Sequence, residues 1–203
     1  MIINKNDRTY FQGFWYGETF TDRKYGVLYV DPPWHWETYS DKGRSKTPDN
    51  HYRCLKLDDI KNLPVPSLAA DDCVLLIWTM DSTLDQCMEL INHWGFKYIT
   101  VGFYWVKTEQ KSGKYCYGTG YWTRGNPEMC LLAKRGKPKR DSGGVRKLCV
   151  ANRLQHSKKP DEIRDRIEAL LPGPYLEIFA RETGKNWDAI GAELVIPEIE
   201  VEE

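Results

Sequence analysis

The chain has no CxxC pair among its six cysteines (54, 73, 87, 116, 130 and 149) and no His/Cys grouping at zinc spacing. This argues against a disulfide-framed or zinc-framed module and predicts reduced, mostly buried thiols in a cytoplasmic protein. No apolar run approaches the ~20 residues a membrane-crossing helix needs. Met1 to Asp7 lacks the apolar stretch of a secretory signal. There is no internal repeat, no low-complexity tract and no net charge, since 29 Lys and Arg balance 29 Asp and Glu.

What is present indicates a folded core. Hydrophobic residues make up 41% of the 203 positions and aromatics 13%, which excludes a disordered chain. A length of 203 residues favours one domain with a sizeable core. The expected layout is an N-terminal extension over 1–24, one main domain over 25–196 and an acidic tail over 197–203. The charge is neutral only on average. Between Lys134 and Lys159 ten Lys and Arg (134, 135, 137, 139, 140, 146, 147, 153, 158, 159) face one acid, Asp141. Such asymmetry fits a polyanionic partner, and equally a solvated loop.

Short apolar runs alternate with helix-like segments, the pattern of an α/β fold. Strands are predicted at Gly26–Val30, Cys73–Thr79, Thr100–Lys107, Pro127–Ala133 and Tyr175–Phe179. Cys73–Thr79 is apolar throughout, as in a strand covered on both faces. Helices are predicted over Leu57–Leu63, over Ser82–Trp94 with Gly95 as terminator, from Pro160 through Ile163, Ile167 and Leu170, and as a short piece after Asn186. Two long polar segments, His35–Arg53 and Thr108–Asn126, lack periodicity; loops of that length in a compact domain usually carry function.

Asp31-Pro32-Pro33-Trp34 follows directly on the first of these strands, where open α/β sheets bind ligands. Its chemistry suits an exocyclic amine. The lone pair of such a nitrogen is delocalised into the ring, so activation needs acceptors for its two N–H bonds. Asp31 offers a carboxylate and Pro32 a carbonyl fixed by the ring-locked backbone. Trp34 offers a face for a base. A strand-end acid followed by a rigid turn is the purely structural alternative.

In this order the sequence resembles the DPPW-type adenine-N6 methyltransferases, the family of the messenger-RNA adenine methylating subunits and their bacterial and phage relatives. After Asp31–Trp34 come His51-Tyr52 with Leu55, Leu76-Ile77-Trp78-Thr79, Trp94-Gly95-Phe96 and Trp105-Val106-Lys107-Thr108. Arg153 with His156-Ser157-Lys158-Lys159-Pro160-Asp161-Glu162 follows, then Tyr175 to Arg181, then Asn186-Trp187 with Gly191. The resemblance covers roughly residues 25 to 194. It departs from the family at Ala180, where Gly is usual, in the short segment Glu182–Asn186, and at Ala192-Glu193, where the messenger-RNA subunits carry Asn-Gln.

The resemblance implies a Rossmann-like, S-adenosylmethionine-dependent methyltransferase fold with permuted motif order, in a single domain. Asp31, Pro32, Pro33 and Trp34 are then the catalytic segment. Lys107 is expected to meet the methionyl carboxylate of the cofactor and Glu177 its ribose, with Asp31, Arg181, Asn186 and Glu193 nearby. Trp36, Tyr39, Arg44, Tyr52, Trp78, Lys111, Arg124 and Arg153 are the expected substrate contacts, and the basic run from Lys134 to Lys147 a further phosphate clamp. Methyl transfer from a sulfonium calls for no metal. The implied substrate is adenine in a nucleic acid, with DNA favoured, in a homodimer or beside a partner subunit. RNA, a cytosine amine, or an inactive nucleic-acid-binding scaffold are the alternatives.

Overall fold

A computed structural model describes residues 8–11, 14–17, 23–35, 54–118, 120, 122–154, 158–182 and 184–191. In chain order the elements are β1 (Arg8–Phe11), β2 (Phe14–Gly17), β3 (Tyr25–Val30), α1 (Leu57–Lys61), α2 (Val65–Leu68), β4 (Ala69–Thr79), α3 (Leu84–His93), β5 (Lys97–Thr108), β6 (Glu128–Arg135), β7 (Leu148–Asn152), α4 (Glu162–Leu170), β8 (Tyr175–Ile178) and β9 (Trp187–Ile190). β1 and β2 pair antiparallel as a separate ribbon. The other seven strands form one sheet in the order β7-β5-β6-β4-β3-β8-β9.

Six of these strands run the same way and only β6 is reversed. The C-terminal ends of β3, β4, β5, β7, β8 and β9 therefore share one edge with the first residue of β6, Glu128. The chain leaves β3 toward β4 on one side and returns to β8 on the other, so the crevice between β3 and β8 is the switch point where such sheets bind ligands. This is a Rossmann-like single domain.

The alternation of the central strands explains the two layers. Leu28, Val30, Leu75 and Ile77 point to one face and pack with Cys87, Leu90 and Ile91 of α3. Val27, Tyr29, Val74, Leu76 and Trp78 point to the other and pack with Ile163 and Ile167 of α4. Each buried aliphatic chain contributes about 1.5–3 kcal/mol of transfer energy, so the sheet buried on both faces dominates stability. All six cysteines are free, and five are buried, Cys54 being half-buried.

Most expected elements appear within a few residues of their predicted bounds. Ser82–Trp94 divides into a 3-10 turn at Asp81–Thr83 and α3, closed by Gly95 at φ +77°. The helix after Pro160 begins at Glu162. The helix expected after Asn186 is instead β9, whose four residues are all buried against β8. Gly191 closes that strand; a Cβ there would lie 1.8 Å from the Ala180 carbonyl oxygen, so only glycine permits the approach. β7, unanticipated in the sequence, is an edge strand beside β5.

Candidate active site

At the end of β3 the Asp31–Trp34 segment is fixed by its own turn. The Trp34 N–H donates to the Pro32 carbonyl at 2.9 Å, and the Leu55 N–H to that of Pro33 at 2.9 Å. The Trp34 indole N–H donates to the Trp78 carbonyl at 2.9 Å, tying the turn to the end of β4. Trp34 is therefore buried among core residues and presents no face to a base, which corrects the expected stacking role. The Pro32 carbonyl accepts the bond from the Trp34 N–H, and a carbonyl oxygen has a second lone pair.

Asp31 is ion-paired. Lys159 Nζ lies 2.6 Å from its Oδ2 and 3.3 Å from Glu128 Oε2. Glu128 also binds Lys107 Nζ. The four side chains form an alternating row, Asp31–Lys159–Glu128–Lys107, along the sheet edge. Burial pushes the Asp31 carboxyl above the usual carboxylate range, against the pull of Lys159. Burial also pushes Glu128 up, but Lys159 and Lys107 on either side bring it below the usual range. Burial opposes the charge of Lys159, yet the two acids hold it protonated beyond the ordinary lysine range.

Asp31 is not sealed by this pairing. Its side chain keeps 33% of its surface and lines a cavity of about 220 Å³ with Tyr29, Lys158, Lys159, Arg164, Glu177 and Arg181, among others. Glu177 projects from β8 and pairs with Arg164 of α4, Nε to Oε2 at 2.8 Å. Burial pushes Glu177 up to about 7 despite Arg164. Phe179, also on the wall, holds φ +67°, a conformation rare outside glycine and often retained at functional sites. A second cavity of about 330 Å³ is lined by Lys107 and Glu128, by Met80–Ser82 after β4, and by residues between Gly118 and Pro127.

Asp31, Glu177 and Arg181 thus meet at one cavity, as expected. Lys107 does not join them. It stands on the second cavity, its backbone clamped by Asn126, whose side chain both accepts from the Lys107 N–H and donates to the Lys107 carbonyl at 2.9 Å. Trp78 is only 1% exposed, donates to the Tyr29 hydroxyl at 2.8 Å and has Lys159 over its ring, so it cannot stack on a base. Asn186 is exposed, donates to Glu168 of α4 at 2.9 Å and does not line the cavity of Asp31 and Glu177. Lys111, Arg124 and Arg153 are exposed. Trp36, Tyr39, Arg44, Tyr52 and Glu193 lie outside the described residues.

The basic run after Lys134 is also re-placed. β6 is reversed, so its C-terminal end, and the residues leading from it to β7, lie at the edge opposite the cavities. Arg135 there is structural, donating to the carbonyls of Pro66, Ala69 and Ala70. Three site residues went unrecognised in the sequence. Lys159 was legible only as part of its motif, and Arg164 as one polar position of a helix. Glu128 reaches the site because β6 is reversed, and strand direction has no local signature.

Comparison with known proteins is consistent with this geometry. A family model, MT-A70, matches residues 25–193. The chain is 34% identical to the Type II methyltransferase M.MunI of Mycoplasma sp, over 88% of this chain and 82% of that protein. It is 32% identical to the N(6)-adenosine-methyltransferase catalytic subunit METTL3 of Homo sapiens, over 84% of this chain but 28% of that protein. The Arabidopsis thaliana N(6)-adenosine-methyltransferase MT-A70-like protein is 30% identical over 84% of this chain and 24% of its own length. With one family model spanning residues 25–193 and a relative 34% identical over 88% of this sequence, the chain belongs to the MT-A70 family.

Proposed function

We propose that this adenine-N6 methyltransferase acts on DNA and takes its methyl group from S-adenosylmethionine. The observation that carries the reading is the meeting of Asp31, Glu177 and Arg181 around one cavity at the switch point, with Pro32 next to Asp31 in the chain. The donor set fits the cofactor. Lys158, Lys159 and Arg181 give the cavity the positive character a carboxylate needs. Glu177 Oε2 is held by Arg164, and among the described residues Oε1 receives no hydrogen bond, leaving it for a ribose diol. When bound, the sulfonium supplies an electrophilic methyl group.

The chain's own residues supply positioning and charge. Asp31 and the second lone pair of the Pro32 carbonyl accept the two N–H bonds of the amine. They orient its lone pair and stabilise the positive charge that develops on nitrogen. Lys159 holds the Asp31 carboxylate ionised and aimed. The second cavity, across the same charged row, receives the target nucleoside, which a duplex must flip out to deliver. The Thr108–Asn126 segment extends the nucleic-acid contact with exposed Tyr115, Tyr117 and Trp122 beside Lys111, Lys114 and Arg124.

The nearly full-length match to a bacterial Type II methyltransferase supports DNA. The match to N(6)-adenosine-methyltransferase subunits supports the second reading, RNA. Methylation of matched DNA and RNA oligonucleotides with labelled cofactor decides between them. Label on the amino nitrogen of adenine in DNA alone is the expected result; label in RNA alone reverses the assignment.

A further inference from the structure

We propose, resting on the cofactor reading above, that Arg164 is a positioning residue for the cofactor. It holds the Glu177 carboxylate ionised and fixed through Oε2, so that Oε1 accepts the ribose hydroxyls. Neither composition nor the family motifs single out this arginine; the geometry does.

Arg164 lies in the first turn of α4, and its side chain and that of Glu177 are both mostly buried on the cavity wall. The guanidinium is braced from behind, with Nη1 3.1 Å from Glu182 Oε1 and 3.6 Å from Asp161 Oδ1. Glu182 is itself tied to Lys158 at 2.8 Å. A planar guanidinium held at both ends is pre-organised to fix one carboxylate oxygen and leave the other exposed to a ligand.

The charge state of Glu177 matters because a ribose diol brings two O–H donors. A carboxylate accepts both, whereas a carboxylic acid carries a proton of its own and accepts poorly. The groups around Glu177 pull in opposite directions. From β3 come Tyr29 and Asp31, and from the segment after β8 come Arg181 and Glu182. From α4 comes Arg164, and from the segment before it Lys158 and Lys159. On β9, Asp188 is turned away to Arg23 and Tyr25. Burial pushes the Glu177 carboxyl up to about 7, Asp31 and Glu182 add to the push, and Arg164 is the main group drawing it down. At neutral pH the arginine therefore decides how much of Glu177 is ionised.

The test is calorimetric binding of S-adenosylhomocysteine to the full chain from pH 6 to pH 9. Wild type is expected to bind more tightly as pH rises through about 7. In Arg164→Gln the rise is displaced upward by about one unit or more, the size an adjacent opposite charge commonly imposes. The variant binds roughly tenfold more weakly at pH 7 and recovers most of that loss by pH 9. Arg164→Lys, which keeps a cation there, holds the inflection near the wild-type pH. Arg164→Met repeats the neutral test if the glutamine variant does not fold. Glu177→Gln binds weakly without the inflection. An unmoved inflection in the neutral variants, or an equal loss at every pH, overturns the role of Arg164. Failure of the wild type to bind, or binding indifferent to Glu177→Gln, overturns the cofactor reading itself, and the two failures are told apart by the Glu177 variant.

Discussion

The Lys159 ammonium donates to the Asp31 carboxylate across 2.6 Å, with the lysine side chain 10% exposed. A salt bridge of this kind is what a strand-end acid of purely structural purpose would form. Here it does something further, because the same lysine reaches Glu128 at 3.3 Å and the acid lines the cavity. The bridge aims a carboxylate at the cavity and opposes the burial that pushes it toward the neutral form.

Removing that lysine should cost both stability and pH tolerance. Lys159→Met leaves two acids, Asp31 and Glu128, without the cation between them. Breaking a buried pair in this way costs about 3–5 kcal/mol, read as a lowered urea midpoint. On the proposed mechanism methyl transfer requires ionised Asp31, whose carboxyl burial already pushes up. Without Lys159 it ionises only at higher pH, so the rising limb of the pH–rate profile moves upward by about one unit or more. An unmoved limb contradicts this role.

Lys107 separates the two cavities experimentally. It belongs to the one lined by Glu128 and Asn126, so Lys107→Ala should leave cofactor affinity within about twofold of wild type, as for an independent site. Transfer to an oligonucleotide should fall by roughly tenfold or more, since truncating a hydrogen-bonded charge partner costs at least about 2 kcal/mol. Loss of cofactor binding in calorimetry would restore the role expected from sequence.

Trp122 tests the nucleic-acid surface. It is fully exposed, at φ +62°. Trp122→Ala should leave the melting temperature unchanged and weaken binding of single-stranded oligonucleotides by about 1–3 kcal/mol, the worth of one stacked base. Fluorescence anisotropy reads the affinity; an unaltered value removes the tryptophan from the interface.

How much of this was legible in the sequence follows from what each feature needed. Cys73–Thr79 was readable as a strand because its apolar run has to be covered on both faces, and β4 is. Asp31 was readable because the chemistry and the strand end coincide at one point in the chain. Trp187–Ile190 was misread as helix because four residues carry too little period to tell strand from turn; only pairing with β8 decides it. Trp34 and Trp78 were misassigned for a different reason. An aromatic beside a site is equally suited to stacking and to bracing, and these two brace, through indole bonds to Trp78 O and Tyr29 Oη. Lys107 was singled out and Lys159 was not, although both lie along the same charged row; that Lys107 lines one cavity and Lys159 the other depends on the arrangement of the whole sheet, which has no local signature.

The most direct test concerns Asp31. Labelled methyl transfer to an adenine-containing oligonucleotide is measured for wild type and for Asp31→Asn, which keeps the shape and one acceptor but removes the charge. Cofactor binding is measured alongside. The account predicts transfer reduced at least about 100-fold in a chain that still binds cofactor. Turnover equal to wild type in that variant would contradict it.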